Sequence, residues 1–312
     1  MSIKHQTLET RHLLGIKNLS KSDIETLLER AAFYADQNHK LDFDCSFRKL
    51  VAANLFLEAS TRTKLSFEVA AHRLGIKPLN FDAGSSSLKK NESFLDTLLT
   101  VAAMKPDLMI IRQSEEGFLE KATGLIDIPL INAGDGSGEH PTQALLDALT
   151  MIRAKGTLEG LNVTICGDIA HSRVAKSNFH LLAKMGANVT ASGPQSFMPD
   201  DLPKGVKRTT KFEEALKGAD VVMMLRVQLE RMENPPALTD YFESYGLSAE
   251  KLALAKTDAI VMHPGPMNRG VEIANGVADN TERSVILNQV TNGVAVRMAV
   301  LDLLSASLRD SQ

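Results

Sequence analysis

Residues 50–75 read LVAANLFLEASTRTKLSFEVAAHRLG, and this stretch decides the fold class. The apolar run 50–56 has the character of a strand buried on both faces. From residue 61 the period lengthens. Phe67, Ala70, Ala71 and Leu74 recur at three- and four-residue spacing on one helical face, and Gly75 supplies a stop. A strand running into an amphipathic helix is the first part of a right-handed crossover in a parallel sheet. The same alternation continues outward. Strands are expected at 107–111, 129–132, 162–166, 188–192, 220–225 and 259–262, with helices at 22–36, 140–154 and 292–308. A chain of 312 residues is long for one core. A boundary fits best where Lys155-Gly156 ends the helix that Pro141 opens. The expected architecture is α/β, with two doubly wound parallel-sheet domains at 1–150 and 151–291. A terminal helix at 292–312 packs back on the first domain, and a cleft lies between the sheets.

Composition narrows the function. Lys and Arg total 35 against 38 Asp and Glu, a net charge of -3, which argues against a nucleic-acid or membrane-surface binder. No apolar run approaches the roughly 18 residues of a membrane span, and the amino terminus lacks the apolar segment of a secretory signal. Cys45 and Cys166 stand far apart without metal or redox spacing. A cytoplasmic protein is expected.

Parallel sheets hold ligands at the carboxyl ends of their strands. Those positions carry Glu58 to Thr63, Arg112, Gly134 to His140, Gly167-Asp168 with Arg173, Arg226-Val227-Gln228 and His263-Pro264-Gly265-Pro266. Arg62, Arg112, Arg173 and Arg226 repel one another, so a ligand with several negative charges is expected there. Ser60-Thr61-Arg62-Thr63 opens a helix, where unpaired backbone N–H groups favour an anion. The hydroxyls and the forked guanidinium suit a phosphate. Helix capping by Ser60 or Thr61 accounts for the hydroxyls but not for Arg62. His140, beside two arginines, suits a carbonyl oxygen, and no metal-ligand spacing surrounds it. Prolines at 264 and 266 remove N–H groups and leave carbonyls for a ligand amide or ammonium. The loop 83–91, which contains Ser86 and Lys90, reads by composition as a solvated segment. Val163 to Ala170 resembles a dinucleotide turn but lacks its later glycines.

Phe56-Leu57-Glu58-Ala59-Ser60-Thr61-Arg62-Thr63-Lys64-Leu65-Ser66-Phe67-Glu68 resembles the carbamoyl-phosphate signature of the aspartate and ornithine carbamoyltransferases. Ser86 to Lys90, Arg112, Gly134 through Gln143, Arg173, Arg226-Val227-Gln228 with Glu230-Arg231, and His263 to Pro266 follow in that family's order. The resemblance implies that Ser60, Thr61, Arg62 and Thr63 hold a phosphate. It gives the carbonyl oxygen to Arg112, His140 and Thr63, and the carbamoyl amino group to Gln143, Gly265 and Pro266. Arg173, Arg226 and Gln228 would receive the two carboxylates of aspartate. Ser86 and Lys90 would reach a neighbouring subunit's site in a homotrimer, with Lys90 serving both substrates. Arg62, Thr63, Lys90, Arg112 and His140 are thus the expected catalytic set, with no metal and no cofactor.

Ornithine enzymes usually carry a His-Cys-Leu-Pro turn and an Asp…Ser-Met-Gly loop, which this chain lacks. Arg226 suits a dicarboxylate and would repel ornithine's ammonium. The implied reaction is carbamoyl transfer from carbamoyl phosphate to L-aspartate, the opening committed step of pyrimidine synthesis. An ornithine-type transferase, a non-catalytic anion-binding relative and a nicotinamide oxidoreductase are the alternatives. Lys64, Asn91 and Gly265 depart from residues common in the family. Some relatives pair with regulatory or dihydroorotase-like chains, and the sequence selects neither.

Overall fold

A computed structural model describes residues 6–37, 47, 49–82, 92–228 and 238–309. Ser86, Lys90, Asn91, Glu230, Arg231 and Cys45 lie outside the described residues. The chain divides into two compact units, Met1–Leu145 with Thr291–Gln312, and Leu146–Val290. The helix Pro141–Lys155 runs through the division.

The first unit holds a parallel sheet of β1 (Val51–Phe56), β2 (Lys77–Asp82), β3 (Leu108–Gln113) and β4 (Leu130–Asp135), in the order β2-β1-β3-β4. The second holds β5 (Asn162–Cys166), β6 (Asn188–Ser192), β7 (Lys207–Thr209), β8 (Val221–Met224) and β9 (Ile260–Met262), in the order β7-β6-β5-β8-β9. All pairings between these strands are parallel. Every residue of β4 and β8 is buried, as a sheet covered on both faces requires. Ala53, Leu55, Met109, Ile111 and Leu130 build one core with Leu98 and Leu119. Val222, Met224, Val261 and Cys166 build another with Phe212 and Ile273.

Two strands, β2 and β7, carry no apolar signature in the sequence, and both lie at sheet edges. An edge strand pairs on one side only. It tolerates Pro78 without an N–H and the polar run Lys207-Arg208-Thr209. The helix Thr61–Leu74 has the expected bounds and ends where Gly75 adopts φ 81. The helix Lys21–Asp36 starts where Ser20 accepts from the Asp23 amide at 3.0 Å.

The last long helix is Ile286–Leu304, earlier at both ends than the expected 292–308, with a short turn at Ala306–Arg309 beyond it. Asn292-Gly293 marks the expected start. The helix nevertheless continues through it, because Ala295, Val296, Met298, Ala299, Val300 and Leu301 are all buried. Its Asp302 accepts hydrogen bonds from Arg30 and from the Tyr34 hydroxyl, all of them buried in the first unit. Burial, reinforced by the Asp302 carboxylate, pushes the Tyr34 hydroxyl far above the ordinary tyrosine range. No helix among the described residues is long and apolar enough to cross a membrane. Burial likewise pushes the Cys166 thiol upward, against the opposing charge of Lys251, so this cysteine is a core residue and not a nucleophile.

The segment before the first helix pairs with β4: Leu13 donates to Leu130 O at 2.9 Å, and Asn132 donates to Leu13 O at 2.8 Å. Beside it, His12 Nδ1 accepts from the Leu130 amide at 3.1 Å. Burial and the neighbouring Arg11 hold His12 below the ordinary histidine value, with Asp127 opposing. The unfolded chain, titrating near about pH 6.5, therefore binds more protons than the folded one just below that pH. This contribution to stability is complete above about pH 6.5 and declines as pH falls through the folded value. The melting temperature is expected to drop between about pH 7 and about pH 5.5, and less steeply in His12→Gln. Equal slopes in the two proteins would exclude His12 as a source.

Candidate active site

In the first sheet the chain leaves β1 for β2 on one side and returns to β3 on the other. The crevice at the carboxyl ends of β1 and β3 is therefore the switch point, where open α/β sheets bind ligands. Ser60, Thr61, Arg62 and Thr63 follow β1 and enter the first turn of Thr61–Leu74. Ser60 occupies the capping position yet makes no side-chain capping bond, so capping does not account for its hydroxyl. Thr63 is buried, while Thr61 and Arg62 are exposed at the helix mouth.

Arg112 pairs with Phe56 across β1 and β3, and the β3–β4 register shifts between Ile111 and Gln113. Such an irregularity re-aims a side chain. The guanidinium lies 3.4 Å from the Glu58 carboxylate and donates to Ala133 O at 3.2 Å, which fixes its direction.

After β4 the chain turns through Gly136 to Glu139 before the helix Pro141–Lys155. Asn132 ties this turn to the amino-terminal segment, donating to Leu14 O at 2.7 Å and accepting from the Gly134 amide at 2.7 Å. Glu139 accepts the Ile16 and Lys17 amides at 2.7 and 3.1 Å. Gly138 sits so close that a Cβ there would stand 2.7 Å from the Asp135 carboxylate. The turn delivers a buried His140, whose carbonyl accepts from the Gln143 amide at 3.0 Å, and a buried Gln143. Behind them, Arg297 donates to Thr142 Oγ1 at 3.3 Å and lies over the Phe67 ring at 5.1 Å. It joins the helix whose first turn carries Arg62 to the helix that begins just after His140.

In the second sheet the switch point lies between β5 and β8. Gly167, at φ 137, ends β5 where a Cβ would stand 2.9 Å from Leu225 O, so only glycine lets the two strand ends meet. Ser172 caps the next helix, accepting from the Ala175 amide at 3.1 Å, and places a buried Arg173 in its first turn. Arg226 and Gln228 follow β8, and Gln228 Nε2 donates to His171 O at 3.2 Å. His263 to Pro266 follow β9. The carbonyls of Pro264, Gly265 and Pro266 accept no hydrogen bond from the described residues.

The first unit thus gathers Ser60, Thr61, Arg62, Thr63, Arg112, His140 and Gln143 at one sheet edge. The second gathers Arg173, Arg226, Gln228, Gly265 and Pro266 at another. Sequence reasoning assigned no role to Glu58 or Arg297. A single charge inside the apolar run Val294 to Leu301 was the available sign of Arg297.

Comparison with known proteins finds a family model for each half of the chain. Residues 11–153 match the family model for the aspartate/ornithine carbamoyltransferase carbamoyl-P binding domain, and residues 159–304 match that for the Asp/Orn binding domain. The aspartate carbamoyltransferase catalytic subunit of Rhodospirillum rubrum is 52% identical over 302 residues, covering 96% of this chain and 95% of the relative. That of Parvibaculum lavamentivorans is 54% identical, covering 96% and 92%. Among solved structures, aspartate transcarbamoylase from Trypanosoma cruzi in complex with carbamoyl phosphate and aspartate superposes with a TM-score of 0.85. It is 29% identical, with 94% of this chain and 96% of that chain covered. Ornithine carbamoyltransferase from Pyrococcus furiosus also reaches 0.85, at 26% identity and coverage of 96% and 98%. With both halves of the chain matched and close relatives aligned along nearly its whole length, this protein belongs to the aspartate/ornithine carbamoyltransferase family.

Proposed function

We propose that this chain transfers the carbamoyl group of carbamoyl phosphate to the amine of L-aspartate, giving N-carbamoyl-L-aspartate and phosphate. The observation that carries this reading is the arrangement of arginines. Arg62 and Arg112 stand at one switch point, Arg173 and Arg226 at the other, which suits one anionic substrate for each unit. The fold alone does not separate aspartate from ornithine, since both kinds of enzyme superpose equally well. Arg226 does, because a guanidinium attracts a carboxylate and repels an ammonium.

In the proposed reaction the neutral amine of aspartate attacks the carbamoyl carbon, and a C–N bond forms. Arg112, His140 and Thr63 hold the oxygen on which negative charge develops. Gln143 and the Gly265 and Pro266 carbonyls orient the carbamoyl amino group. The bond from carbon to the phosphate oxygen then breaks, and the departing phosphate takes the amine proton. Ser60, Thr61 and Arg62, together with Ser86 and Lys90, receive that phosphate, while Lys90, Arg173, Arg226 and Gln228 hold aspartate. Preorganised donors of this kind are worth about 10²–10³ in rate each.

The reading extends to a cytoplasmic homotrimer with shared sites, serving the first committed step of pyrimidine synthesis. The direct test is a ureido-product assay with aspartate and ornithine side by side. Product is expected with aspartate only. Equal or greater product with ornithine would overturn the assignment, and carbamoyl-phosphate binding without product would make the chain a non-catalytic relative.

A further inference from the structure

The loop that carries Arg226 and Gln228 belongs to no helix or strand, and no backbone N–H among the described residues reaches the Val227 carbonyl. Its one donor among the described residues is a side chain: Asn268 Nδ2, at 3.2 Å. Asn268 is anchored in turn, since its own amide donates to Glu272 Oε1, and Glu272 is wholly buried. The same carboxylate oxygen lies 3.1 Å from His263 Nε2. On the other side of that ring, the Gly265 amide donates to Nδ1 at 2.8 Å. A backbone amide can only donate, so Nδ1 accepts, and the proton of the neutral ring sits on Nε2 facing Glu272. The His263 amide is fixed separately by Gln289 Oε1 at 2.9 Å, and Gln289 donates to Asp147 at 2.8 Å.

These bonds form one line inside the second unit, from the Gly265 amide through His263, Glu272 and Asn268 to the peptide between Val227 and Gln228. We propose that Asn268 is a positioning residue for aspartate, setting the Arg226–Gln228 loop in register with the His263–Pro266 turn. The inference deepens the function proposed above and rests on it. Turning this peptide turns Gln228 directly and Arg226 through Val227. From the opposite side Gln228 Nε2 donates to His171 O at 3.2 Å, so losing Asn268 removes one tie and leaves that one in place. The backbone bond from Asn268 to Glu272 does not depend on the side chain, so the turn itself survives the substitution.

The test compares wild type, Asn268→Ala and Asn268→Asp by steady-state kinetics, thermal melting and binding of inorganic phosphate. Asn268→Asp keeps the shape and removes the donor. In both variants KM for aspartate is expected to rise about three- to tenfold, the worth of one hydrogen bond. Turnover at saturating aspartate, phosphate affinity and melting temperature are expected to stay at wild-type values, because the phosphate residues lie in the other unit. An unchanged aspartate KM in either folded variant overturns the proposal. So does a parallel loss of KM, turnover, phosphate affinity and melting temperature, or failure of both variants to fold, since each makes the residue structural. A wild type that forms no carbamoyl-aspartate refutes instead the underlying function.

Discussion

Arg62→Ala is expected to lower turnover by at least about two orders of magnitude while leaving the melting temperature unchanged. Arg62 stands in the first turn of Thr61–Leu74, at the crevice between β1 and β3 where helix N–H groups already favour an anion. Charge builds on the phosphate as its bond to carbon breaks, so a guanidinium there acts more strongly on the transition state than on bound substrate. Because the side chain is exposed, its removal opens no cavity. Arg62→Lys is expected to fall between the two, keeping the charge but losing the fork. Near-normal turnover in Arg62→Ala would remove the phosphate assignment. Mixing this chain with Lys90→Ala should restore part of the activity, as some shared sites then carry neither lesion. No recovery in verified mixed assemblies would reject the sharing of sites alone.

Asp302→Ala is expected to destabilise the first unit by about 3–5 kcal/mol, measured by denaturant unfolding. Asp302 and Arg30 have side chains only 1% and 6% exposed. Deleting the carboxylate takes from the buried Arg30 guanidinium the counter-charge that Asp302 supplies and removes the acceptor of the Tyr34 hydroxyl, 2.7 Å away. The cost arises from that buried charge more than from the pair's own attraction. Replacing both partners, as Arg30→Met with Asp302→Leu, is therefore expected to cost less than the single change. A loss under about 1 kcal/mol for Asp302→Ala would place this pair with exposed ion pairs and contradict its burial.

Much of the candidate site was legible because its parts are short runs at strand ends. Ser60 to Thr63, Gly134 to Gln143 and His263 to Pro266 are each one short run at the carboxyl end of a strand, and the strand before each is mostly apolar. The bounds of Thr61–Leu74 followed from its helical spacing and from Gly75 for the same reason. What escaped was set by partners distant in sequence. β2 and β7 pair on one side only, so nothing forces them to be apolar. The last helix passes through Asn292-Gly293 because its surroundings bury it, where a start was expected at Asn292.

The sequence by itself determined the alternation of strand and helix, and with it the parallel sheets and the residues at their carboxyl edges. Periodicity is a relation between near neighbours, and it survives in a string of letters. Only the tertiary structure decided the strand order that makes two switch points, the β3 irregularity at Arg112, the ion pair of Arg30 with Asp302, and the line from His263 through Glu272 and Asn268 to Val227. Each of these depends on which distant segments meet, and a buried polar group takes its role from the partner that satisfies it.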